Sequence, residues 1–98
     1  MIQYSYTIEP RADQLGGGWQ LRLIQEGLEV GGGVFPVPAH DPVEGIDWWD
    51  ALGEDDRAYW LTQAIEPTAS EAFNAYLVAS ALADAEEHAK GWINSREQ

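Results

Sequence analysis

The sequence predicts an α+β protein: a three-stranded, mainly antiparallel sheet followed by three helices packed on it. Two observations carry that expectation. Before Pro36 the apolar residues recur with period two, and after Pro42 they recur at helical spacing. Between them lies "PVPAHDP", Pro36 to Pro42. Proline has no amide donor for a ladder and holds the chain extended, so this stretch stops the sheet.

The strands come first. Ile2–Glu9 alternates strictly, with Ile2, Tyr4, Tyr6 and Ile8 on one side and Gln3, Ser5, Thr7 and Glu9 on the other. "PRADQLGGG" reads as a loop. Trp19–Gln25 alternates again, with Trp19, Leu21 and Leu23 inward. Glu26-Gly27 suits a two-residue hairpin turn, which makes Leu28–Phe35 a third strand antiparallel to the second.

The helices follow. On a helical wheel Ile46, Trp49 and Leu52 share an apolar arc. Glu44, Asp47 and Asp50 lie opposite, Trp48 sits at the arc's edge, and Gly53 ends this short helix. A second helix is expected over Glu54–Glu66, its Glu-Asp-Asp start suiting the positive end of the helix dipole. Ala58, Trp60, Leu61, Ala64 and Ile65 form its apolar arc, and Tyr59 lies away from it. Thr68 with Glu71 is a capping box opening a third helix, expected to run to about His88–Lys90 before Gly91. That helix has two apolar stripes. One is Ala69, Ala72, Phe73, Tyr76, Leu77, Ser80 and Ala83. The other is Ala75, Val78, Leu82, Ala85 and Ala89. One stripe must cover the sheet; the second takes the short helices or meets another molecule.

Ninety-eight residues make one domain, divided into sheet (1–36), Pro-rich connector (37–42) and helical part (43–93). With no Cys, disulfides and thiolate chemistry are excluded. No apolar run approaches the length of a membrane span, and "MIQYSYTIEP" has neither a basic n-region nor an apolar h-region. A cytoplasmic domain without a membrane partner is therefore expected.

Charge is the outlying property. Seventeen Asp and Glu face five Lys and Arg, a net −12. Residues 1–40 hold four acids and two bases, whereas residues 41–98 hold thirteen and three. Within Asp41–Asp56 there are seven acids (Asp41, Glu44, Asp47, Asp50, Glu54, Asp55 and Asp56) and no base. Such a field repels nucleic acid and anionic membranes and attracts basic surfaces, including those that normally hold nucleic acid. Many proteins are acidic for solubility alone, so charge by itself does not decide.

Catalysis finds little in the sequence. Gly16–Gly18 leads into a strand and Gly31–Gly33 lies inside one, whereas a phosphate loop leads into a helix. Glycine inside a strand more often marks a bulge or a close backbone approach. The His–carboxylate pairings are His40-Asp41 and Asp84 with His88; a metal needs three or four ligands, only Glu87 is an obvious addition, and His88 also sits where a cation suits a helix C-terminus. None of Ser5, Ser70, Ser80 and Ser95 sits in a nucleophile elbow. No enzyme, cofactor or metal is expected. Trp49 and Trp60 fall within apolar arcs and read as core. Trp48 and Tyr59 fall at the polar boundary, where aromatic residues serve as contact anchors or cover a core edge.

"LGGGWQLRL", "EVGGGVFPVP" and "GIDWWDALGEDDRAYWLTQA" together give a chain that resembles small acidic proteins carried by bacterial phages and plasmids. That resemblance implies an inhibitor of the anti-CRISPR or antirestriction type, several of which act as DNA mimics. The class has no common fold or motif, so it assigns no residue. On the residues alone, the partner-binding set is Asp41, Glu44, Asp47, Trp48, Asp50, Glu54, Asp55, Asp56 and Tyr59, facing a basic, nucleic-acid-binding effector. The other reading is an interaction or assembly module, a homodimer through Val78, Leu82 and Ala89, with charge serving only solubility.

Overall fold

In the computed structural model, which describes residues 2–38 and 41–96, three strands precede three helices. The strands are β1 (Tyr4–Pro10), β2 (Trp19–Gln25) and β3 (Leu28–Phe35); the helices are α1 (Pro42–Asp50), α2 (Glu54–Gln63) and α3 (Ala69–Arg96). The sheet is antiparallel throughout, in the order β1-β2-β3. The chain divides into two compact units, Met1–Val37 with Ser80–Gln98, and Pro38–Ala79. The division differs from the expected sheet, connector and helical parts, because α3 gives its second half to the sheet's unit and its first half to the other.

In the sheet's unit, period-two patterning sets which side chains are buried. Leu21 and Leu23 of β2 are buried, and the register places Ile8 and Tyr6 beside them on β1. Ala89 of α3 closes the cluster, with Tyr6, Ile8, Phe35 and Trp92 packed around it. Tyr4 meets Trp92 edge to face, ring centroids 5.4 Å apart. Each buried Leu contributes about 2 kcal/mol through removal from water. β1 starts two residues later than the alternation suggests, and Ile2 is exposed. The opposite sheet face carries Ile24 and the exposed Val34 among polar residues, and there Arg22 pairs with Glu9 at 3.7 Å and Glu29 at 3.3 Å.

The β2–β3 hairpin turns on Glu26 (φ 53°) and Gly27 (φ 79°), both left-handed, as a tight turn matched to strand twist requires. The register then slips between Leu23 and Ile24, whose partners are Gly31 and Glu29, so Val30 is the extra residue of a bulge. The glycine triplets are structural. A Cβ on Gly32 (φ 155°) would lie 2.2 Å from the Leu21 carbonyl oxygen. One on Gly18 (φ 75°) would lie 2.1 Å from that of Phe35. At Gly31 and Gly33 a Cβ would make ordinary contact with the Leu23 and Phe35 side chains, at 3.6 and 3.7 Å, so the close approaches are those at Gly18 and Gly32.

α3 is longer than expected. It passes through Gly91 and ends at Arg96. Its start shows the Thr68 half of the expected capping box, with the Glu71 N–H donating to Thr68 Oγ1 at 3.2 Å, while the Thr68 N–H donates to the Glu66 carbonyl at 2.8 Å. Ala81, Ala85 and Ala89, spaced by four, form its buried line in the sheet's unit, and Ala83 is exposed. Ala89 has no exposed surface, so it cannot belong to a dimer face; Val78 and Leu82 are half-buried.

Candidate partner-binding surface

The unit Pro38–Ala79 carries nine acids and a single base, Arg57. Its first helix starts at Asp41, whose carboxylate accepts from the Val43 N–H at 2.9 Å as N-cap, followed by proline in the first turn. The inward face of α1 centres on Gly45, which is buried. A Cβ there would stand 3.1 Å from Phe73 Cδ2, so the helix seats on its glycine. This corrects the expected arc. Trp49 and Leu52 are half-buried, but Ile46 is 56% and Val43 58% exposed. A hydropathy wheel gives glycine no weight, so it turns the helix the wrong way.

That rotation brings Trp48 in. Its ring centroid lies 5.1 Å from Tyr76, 5.3 Å from Phe73, 6.1 Å from Trp60 and 6.4 Å from Trp49. Trp60 in turn meets Tyr76 edge to face at 5.5 Å. Trp48 is thus half-buried in the middle of an aromatic cluster, covered to a similar degree as Trp49 and Trp60 rather than set apart from them. Tyr59 does keep to the rim: it is 55% exposed, with its ring set edge to face on Trp60 at 4.9 Å. α2 ends at Gln63, earlier than expected, and Ala64 is extended. Ile65 therefore lies beyond the helix and is 90% exposed. Ala58 is also exposed, because α2 turns Arg57, Trp60 and Leu61 inward.

Arg57 serves the backbone rather than a carboxylate. Its Nε donates to the Trp49 carbonyl at 3.1 Å and an Nη to that of Asp50 at 3.4 Å, while the guanidinium lies 5.3 Å from the Trp49 ring centroid. It reaches carbonyls at the C-terminal end of α1, where that of Trp49 also accepts from the Leu52 N–H at 3.1 Å. Among the described residues, the ion pairs within 4.0 Å are those of Arg22. All seven acids of Asp41–Asp56 are exposed.

Helix electrostatics sorts these acids into two groups. Asp41 caps α1 and Glu44 lies in its first turn; Glu54, Asp55 and Asp56 form the first turn of α2. Carboxylates are stabilising at those positions. Asp47 and Asp50 stand in the last turn of α1, where the dipole disfavours them, and that turn holds no base.

Among the described residues no group of three His, Cys, Asp or Glu is placed to hold a metal ion, and no helix is long and apolar enough to cross a membrane. Asp84 and His88 are both exposed; His40 lies outside the described residues. Comparison with models of protein families, with characterised proteins and with solved structures gives no match, so no residue takes a role from a relative.

Proposed function

We propose that the protein is a non-enzymatic inhibitor of a bacterial defence complex, CRISPR-Cas or restriction, and binds the surface on which that complex holds nucleic acid. The observation that carries this reading is the placement of Asp47 and Asp50. Both are exposed, outside the ion pairs of the described residues, and set where the helix dipole makes a carboxylate unfavourable. Solubility could be met by acids anywhere on the surface, at less cost to the helix. Glu44, Asp47 and Asp50 recur about every 4.5 Å along the helix axis, close to the roughly 3.4 Å charge spacing of one DNA strand. A Lys- or Arg-lined channel built for phosphates would attract this row in the same way.

The test uses bacterial strains that each carry one DNA-targeting CRISPR-Cas or restriction system. Expression of the wild-type chain should restore phage plating in at least one strain. Asp47→Lys with Asp50→Lys should abolish that restoration. Unchanged plating across the panel, or equal restoration by the double variant, contradicts the reading.

A further inference from the structure

We infer that the outward face of α1 docks into an apolar groove whose rim carries Lys or Arg, so that the partner is recognised by shape and apolar contact as well as by charge. This deepens the reading just proposed and rests on it. Seating on Gly45 turns Val43 and Ile46 to solvent, 58% and 56% exposed. Val43, Ile46, Asp47 and Asp50 follow one another at i, i+3, i+4 and i+7, so they share one face of the helix. Two aliphatic side chains at that spacing are the pattern by which a helix fills a groove.

The charge around them fixes the occupant. Asp47 and Asp50 flank the aliphatic pair, and Arg57 is turned to the backbone at Trp49 and Asp50. A neutral groove would leave both carboxylates desolvated without partners, and an acidic one would repel them. Nucleic acid is excluded by the same sign. A groove with basic rims satisfies both halves of the face. Exposed aliphatics also occur on β3, at Leu28, Val30 and Val34. There the charged neighbours are of both signs, Arg22 with Glu29, and they point to no partner of one chemistry.

The inference is tested with two cationic peptides of equal charge, an oligo-lysine and an amphipathic helix built from Leu and Lys. Binding is followed by amide chemical shifts of the folded chain. Wild-type protein should bind the amphipathic peptide at least about tenfold more tightly, with shifts centred on α1. Val43→Gln with Ile46→Gln should remove that preference and leave oligo-lysine binding unchanged. Both positions are mostly exposed, and Gln favours helix at least as well as Val or Ile, so the variant keeps its fold. The single variant Ile46→Gln, with its spectrum as a check, should lose part of the preference. Equal affinity of the wild type for the two peptides, or a preference that survives in the variants, overturns the inference while salt-sensitive oligo-lysine binding leaves the proposed function standing. Failure to bind either peptide overturns both.

Discussion

Gly45 and Gly91 both stand inside helices, yet a methyl group would meet opposite surroundings. At Gly91 it would find nothing within 4 Å, so Gly91→Ala should stabilise the fold by about 0.5–1 kcal/mol through helix propensity alone. At Gly45 the same gain is set against Phe73 at 3.1 Å, a ring that is 6% exposed and held by Trp48 and Tyr76. Overpacking costs about 1–3 kcal/mol, so Gly45→Ala should destabilise. Denaturant unfolding compares the two; a Gly45→Ala as stabilising as Gly91→Ala would show that α1 does not seat on its glycine. The aromatic residues give a second ordering. Trp48→Ala should cost at least as much as Trp49→Ala, each about 2–4 kcal/mol, whereas Tyr59→Ala, at an exposed ring, should cost less than about 1 kcal/mol. A Trp48→Ala protein nearly as stable as wild type would return Trp48 to the rim.

At the scale of elements, α1 depends on a side chain from α2. The Arg57 guanidinium reaches two carbonyls and a ring face together, a task for a planar fork that an ammonium cannot repeat. Arg57→Lys should therefore cost about 1 kcal/mol despite keeping the charge, and amide exchange should rise in Asp47–Asp50 first. Exchange that rises uniformly along the chain would contradict that assignment. The strands were legible in the sequence because period two places every other side chain on the core face, and β2 and β3 fall on the expected residues. The Thr68 cap likewise marked the start of α3, since its hydroxyl acts locally. The faces of α1 and the ends of α2 and α3 were not legible. Gly45 acts through the absence of a side chain, which no hydropathy count records. Gly91 reads as a stop, yet the helix runs on, and Ala89 and Trp92 on either side of it pack on the sheet core. For the same reason the acidic half of the proposed binding face could be read from the sequence, and its aliphatic half, Val43 and Ile46, could not.

At the scale of the whole molecule, a net −12 with few ion pairs among the described residues means that the folded chain repels itself. Added salt screens exposed charges over a Debye length of about 8–10 Å near physiological strength. The melting temperature should therefore rise between about 10 mM and 0.5 M sodium chloride. Asp47→Lys with Asp50→Lys should raise it further at low salt, because it removes two carboxylates from a helix C-terminus and places cations there. A variant more stable than wild type and yet inactive separates function from folding, and the most direct measurement uses it. Purified CRISPR-Cas and restriction complexes, each loaded with fluorescently labelled duplex DNA, are titrated with the wild-type chain and with the double variant at low and high salt. The account predicts that wild-type protein displaces DNA from at least one complex, that displacement weakens steeply as salt rises, and that the double variant is at least about tenfold less effective, mainly through slower association. Displacement indifferent to both salt and the two lysines, or displacement from none of the complexes, would contradict it.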